Sequence, residues 1–250
     1  MKKLEKLLLG LMILTLVFAV MSCRKASVKM VKIPGRNFEM SQTEVTQGLY
    51  ESIMEVNPIK FIEVNPSEFK GENNPVENVS WYDAIYFCNK FSLVKGYDPV
   101  YSVNGSTNIN TWNYASHLGC SIEGEITQNL SANGYRLPTV EEWKYAAKGG
   151  EDYTYAGSNA LDEVAWYFWN SDLKTHPVAQ KKTNGYRLYD MSGNVREWCW
   201  DSDYYSYYRY FCGDGYCDNA SSNKVGFRDS YDAYSSFYDM GFRIVRTITE

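Results

Sequence analysis

The pattern of apolar and polar positions divides the chain into three stretches. Leu7 to Met21 is a predominantly apolar run behind Lys2, Lys3 and Lys6. Residues 28–198 alternate short periodic segments with polar loops, and from Cys199 to Asp239 no helical or strand period survives. Within the middle stretch, Val28 to Met40 reads as two strands around Pro34-Gly35. Thr46 caps a helix whose Leu49, Tyr50, Ile53 and Met54 share one face. Three prolines among Asn and Glu make residues 57–78 a loop. Ser80 and Asp83 form a capping box in front of Ala84, Phe87, Cys88 and Phe91, the buried face of a second helix. Residues 96–134 are irregular with one hairpin. Thr139 and Glu142 then cap a third helix, packed through Tyr145, Ala146 and Ala147 and ended by Gly149-Gly150. Asn184-Gly185 turns the chain into Leu188 to Trp198. By pattern alone this is a mixed α+β chain, long enough for one large domain or two small ones.

The N-terminal run is too short to span a bilayer comfortably and has the form of a signal peptide. It ends in Val20-Met21-Ser22-Cys23, which resembles a bacterial lipobox. The expectation is cleavage after residue 22, lipid on Cys23, and a polar linker over residues 23–27. Such a chain is held at the membrane by its N-terminal lipid, in the cell envelope and on the outer-membrane surface.

The net charge of −5 carries no basic footprint, so nucleic acid is not an expected partner. Two histidines, His117 and His176, exclude a three-histidine metal centre. With Cys23 assigned to lipid, Cys88, Cys120, Cys199, Cys212 and Cys217 form an odd set that argues against a complete disulfide framework. Cys88, on a helix face, reads as a small buried hydrophobe. The unusual feature is the tract from Cys199 to Asp239. It has no Leu, Ile, Met, Pro, Thr or Glu and a single Val, Val225, but nine tyrosines between Tyr204 and Tyr238. Such a tract cannot supply an aliphatic core. Tyr offers a large rigid surface with a polar tip, and Ser, Gly and Asn adapt their hydrogen bonds, as in an antibody paratope. Flanking motifs at Leu188 to Trp198 and Gly241 to Arg246 pin both ends, which favours a binding surface over a low-complexity tail.

The motifs Glu44-Val45-Thr46, Pro75-Val76 to Ala84, Gly134 to Trp143, Leu188 to Trp198 and Gly241-Phe242-Arg243 resemble, in order, those of the formylglycine-generating-enzyme (sulfatase-modifying factor) family. The resemblance implies one domain over residues 28–250 with that family's C-type-lectin-like subtype of α+β fold: short sheets, few helices, much irregular chain. Enzymes of the family oxidise a substrate cysteine with a copper-holding pair of cysteines. Their positions fall here at Asp218 and Asn223, or by another alignment near Gly215 and Ala220, so no catalytic residue and no copper are expected. The alternative is a formylglycine-generating oxidase-like enzyme with a displaced pair, Cys212 and Cys217, which keep the five-residue spacing. Asp214 and Asp218 beside them disfavour a thiolate. The resemblance also implies a structural calcium ion, held by the side chains of Asp190 and Glu197 and the backbone carbonyls of Gly193 and Val195.

The tract also resembles the variable proteins of diversity-generating retroelements, in which mutated adenines convert asparagine codons into Tyr, Ser, Asp, Gly, Phe and Cys. The implied function is a displayed binder with a variable region of about residues 199–246. Expected contacts are Asp214, Tyr216, Cys217 and Asp218, then Gly226, Phe227, Asp229, Ser230, Tyr231 and Asp232. Phe237, Tyr238 and Asp239 are secondary. The ligand of such a Tyr-rich surface is expected to be protein rather than carbohydrate.

Overall fold

Side-chain caps set the two longer helices where the sequence places them. A computed structural model describes residues 27–54, 64–117, 119–204 and 207–248. The signal segment, Cys23 and most of the linker lie outside the described residues. Helix α1 (Gln47–Met54) starts at Thr46, whose hydroxyl accepts from the Leu49 N–H at 3.3 Å. Helices α2 (Trp81–Val94) and α3 (Val140–Lys148) both carry complete capping boxes, Ser80 with Asp83 and Thr139 with Glu142. Gly149, with φ of 62°, closes α3 in the left-handed conformation that a side chain would resist. A one-turn helix, α4 (Leu161–Val164), follows.

Among the described residues, three small sheets surround these helices. The first orders β1 (Met30–Lys32), β2 (Phe38–Ser41), β10 (Val245–Thr247) and β5 (Tyr135–Arg136), so the last strand lies between two early ones. The second is the expected hairpin, β3 (Tyr101–Val103) with β4 (Ile126–Gln128). The third orders β8 (Arg228–Asp232), β7 (Tyr208–Cys212), β6 (Arg196–Ser202) and β9 (Met240–Gly241), with β9 parallel to β6. Most of this sheet comes from the tract that shows no period. Tyr serves either face of a strand, so alternation is hidden although strands form.

The core is aromatic where helices meet sheet. Phe87 stacks on Tyr50 at 5.4 Å and meets Phe242 edge-on at 5.3 Å, and Cys88 is fully buried among them. Trp81 and Trp198 are buried and each donates its indole N–H to a backbone carbonyl, Cys199 O and Val79 O, both at 2.9 Å. Among the described residues no helix is long and apolar enough to cross a membrane.

Candidate ligand-binding surface

The third sheet is held from beneath by a buried ion pair. Arg243 donates to both oxygens of Glu197, Nε to Oε2 at 2.6 Å and Nη2 to Oε1 at 2.7 Å, and both residues are fully buried. Trp143 adds its indole N–H to Oε2 at 2.6 Å, and Arg243 also reaches the carbonyl of Tyr189. A desolvated charge pair is tolerable only with this degree of satisfaction. Glu197, expected as a calcium ligand, thus accepts from both Arg243 and Trp143.

Asp190 is different. It is buried at φ 55° and accepts from the Ala179 N–H through Oδ2. Beside it lies the buried carboxyl group of Glu44, with which it shares a side-chain hydrogen bond. Burial, then the Asp190 charge, pushes Glu44 well above the usual carboxylate range, and burial lifts Asp190 to about 6. The loop therefore brings two buried carboxyl groups, Asp190 and Glu44, face to face.

On the outer side of β6, Arg196 gathers three aspartates. Its Nη2 lies 2.7 Å from Asp218 Oδ1, and its Nε lies 3.1 Å from Asp214 Oδ1 and 3.4 Å from Asp239 Oδ2. Burial, with the neighbouring Asp218, raises Asp214 to about 8. Burial opposes ionisation of Asp218 too, but Asp214 and Arg196 hold it below the usual range, so the pair carries one proton on Asp214 at neutral pH. Arg196 also lies 5.4 Å from the Phe211 ring, on which Tyr231 stacks at 5.8 Å. Polar network and aromatic surface are thus one structure.

Several of the expected contact residues lie on the surface. Gly226, Asp229, Tyr231 and Tyr238 are exposed, and Asp218, Phe227, Ser230, Asp232 and Phe237 are half-buried. Cys217 sits at the surface with its thiol pointed at Asp239 Oδ2, 3.4 Å away. Asp214, Tyr216 and Asp239, expected to face solvent, are buried. Arg196 draws the two aspartates inward, and Tyr216 packs edge-on against Phe69 at 5.3 Å. Sequence reasoning missed Tyr204, Tyr207 and Tyr234, all exposed, Tyr204 at 95%. It also missed Phe168 and Trp169, an edge-on pair at 4.9 Å with Trp169 74% exposed. The Phe168 N–H donates to the Asp218 carbonyl, which places this pair beside the aspartates. Two adjacent aromatics without a periodic partner were the available signal.

The two thiols of the proposed displaced pair have different surroundings. Cys212 is fully buried and its sulfur neighbours that of Cys199 across β6 and β7, whereas Cys217 faces Asp239 outside. The chain bends at Gly213, at φ 72°, and turns at Tyr216-Cys217, so the two side chains end in different surroundings.

The model of the sulfatase-modifying factor enzyme 1-like domain matches residues 17–248. The chain belongs to that family. Among solved structures, it is similar to Treponema denticola variable protein 1, with a TM-score of 0.71 and 31% identity over 89% of this chain and 92% of that one. It is 37% identical over 238 residues to the chaperone protein LppX of Paenibacillus barcinonensis, covering 84% of this chain and 80% of that one. The formylglycine-generating enzyme of Streptomyces coelicolor is 32% identical over 149 residues, 44% of this chain and 46% of the enzyme. The few helices and small sheets are thus those of the family, an α+β fold with much irregular chain. The chain is thus similar to proteins named a variable protein, a chaperone and a formylglycine-generating enzyme, so function has to be argued from the site.

Proposed function

We propose that this chain is a membrane-anchored, surface-displayed binding protein whose Tyr/Ser/Asp-rich sheet is a diversified ligand site. The carrying observation is the exposure of Tyr204, Tyr207, Tyr231, Tyr234 and Tyr238 on strands and loops fixed by a buried framework. Monomeric proteins seldom leave large aromatic groups exposed together without a partner for them. Similarity to a variable protein and to a chaperone-named protein supports binding as the role. The resemblance places the family's catalytic cysteines at Asp218 and Asn223, or near Gly215 and Ala220, and the lack of cysteine at any of these positions supports binding over catalysis. A protein ligand suits a broad Tyr surface whose aromatic rings supply area and whose aspartates set orientation. Lipid on Cys23 would anchor the scaffold in the envelope.

The test is deep sequencing of the gene's 3′ end across a cell population. Substitutions clustered in codons 203–239 and sparing codons 136–198 are expected. An invariant segment would refute diversification.

A structural calcium ion held by the side chains of Asp190 and Glu197 and the carbonyls of Gly193 and Val195 is part of the same proposal. The gathering of the buried carboxyl groups of Asp190, Glu44 and Glu197 around this loop supports it. A thermal midpoint lowered by chelator and restored by calcium is expected, and no change would remove the ion from the description.

A further inference from the structure

Where β7 begins and β8 ends, three tyrosines stand together at the surface. Tyr208 lies opposite Asp232 in the strand register, and the rings of Tyr207 and Tyr208 sit 4.7 Å apart, inclined by 40°. Backbone bonds fix the segments that carry them. The Ala233 N–H donates to the Tyr207 carbonyl at 3.0 Å and the Asp203 N–H to the Tyr208 carbonyl at 3.2 Å. Ala233 is itself buried and accepts from the Trp81 N–H, at the start of α2, at 3.0 Å. Tyr234, the next residue, is 52% exposed and Tyr207 is 55% exposed. Rings presented by a framework bonded to the core lose little freedom when a ligand arrives.

The charge around these rings has one sign. Asp232 acts most strongly on the Tyr208 hydroxyl, then Tyr207, slight burial, Asp203 and Tyr234, and together they raise its pKa. Among the described residues Asp232 makes no ion pair. Arg209 follows Tyr208 in the strand and so points to the other face. Its guanidinium lies 4.0 Å over the Trp81 ring and donates to the Trp200 carbonyl at 3.0 Å. Arg228, at the far end of β8, lies 4.7 Å over the Tyr210 ring. Exposed ring faces beside a carboxylate attract a cation twice, through the ring quadrupole and through opposite charge.

We infer that Tyr207, Tyr208 and Tyr234, with Asp232 and Asp203, receive the cationic side chain of an arginine on the protein that this surface binds. The inference rests on the reading of the sheet as a protein-binding surface and names the chemistry selected at one end of it. Arginine fits better than lysine, because a planar guanidinium can lie on a ring face while its N–H groups reach a carboxylate. The same sheet already holds its own arginines in this way, Arg209 on Trp81 and Arg228 on Tyr210. An acidic ligand is repelled here, and a neutral sugar would leave the charge of Asp232 unanswered.

A displayed library of random peptides would be selected on the full-length chain in mild detergent, and the enriched peptides synthesised. Sequences rich in arginine and poor in acidic residues are expected. Replacing the arginine by citrulline keeps its shape and removes its charge, and should weaken binding about fivefold or more. Asp232→Asn should weaken the arginine peptide by a similar factor and leave the citrulline peptide unchanged, the signature of a direct pair. Asp152→Asn, at an exposed acid elsewhere, should change neither. The citrulline comparison needs no variant to fold. Enriched peptides without arginine or lysine, or a citrulline form that binds as well, would overturn the cationic assignment. If binding of those peptides still falls in Tyr234→Ala, the surface reading stands without it. Peptides indifferent to Tyr207→Ala, Tyr231→Ala and Tyr234→Ala, or no enrichment at all, would count against the surface reading itself, and the inference falls with it.

Discussion

Glu77→Gln isolates the cost of a buried carboxyl in the loop beneath the Tyr surface. Glu77 is 0% exposed, and its Oε1 accepts from the Phe69 N–H at 3.1 Å while its Oε2 has no partner. Burial lifts its pKa from an ordinary 4.5 to about 7. The folded state therefore holds the proton more tightly than the unfolded one. This group's stabilising contribution is complete below about pH 4.5 and is lost as pH rises through about 7. A shift of that size corresponds to about 3 kcal/mol between the two limits. Gln keeps the acceptor for Phe69 and cannot ionise, so the variant lacks this part of the pH dependence. Urea unfolding at pH 5 and pH 8 measures it, with a slope of about 1–3 kcal/mol per molar. The unaltered chain should lose about 1 M or more of midpoint beyond what the variant loses between those pH values. Asp190 and Asp214 also titrate upward of the ordinary range, but both chains share them, so they cancel in the difference. Parallel pH slopes for the two proteins would refute the account of a neutral Glu77.

Other changes test the framework and the surface separately. Arg243→Met leaves Glu197 buried without its partner and should cost about 3–5 kcal/mol in urea unfolding, partly recovered by adding Glu197→Gln. Tyr216→Ala removes a buried ring packed on Phe69 and should cost about 3 kcal/mol. Tyr238→Ala, at a 60% exposed position, should stay within about 0.5 kcal/mol of the unaltered fold. Equal destabilisation by the two Tyr changes would contradict the division into framework and surface.

Local signals were legible because the groups that make them are neighbours in the chain. The boxes Ser80–Asp83 and Thr139–Glu142 and the stop at Gly149 fix helix ends within a few residues of themselves. The family motifs gave the overall fold for the same reason, as short blocks with fixed internal spacing. Long-range pairing was not legible. Asp214 and Asp239 look like surface residues until Arg196, well away in sequence, gathers them, and nothing near Glu197 in sequence announces its ion pair with Arg243. Tyrosine hides the strands β7 and β8 because its ring and hydroxyl suit both core and solvent. The chemistry of Glu44 and Glu77 was invisible because nothing nearby in sequence marks a carboxyl destined for the interior.

The position of β10 between β2 and β5 would have a consequence for the gene if its 3′ end is diversified as proposed. The strand that completes the first sheet, and Arg243 that completes the ion pair with Glu197, are both encoded downstream of the Tyr-rich tract. A ribosome must read through that tract in frame before the N-terminal strands can find their inner partner. A stop codon or frameshift within the tract would delete that partner, so the defective product could not close its scaffold. Under the proposed diversification the topology would act as a proofreading step on the gene, in which only chains translated to the end mature into folded protein.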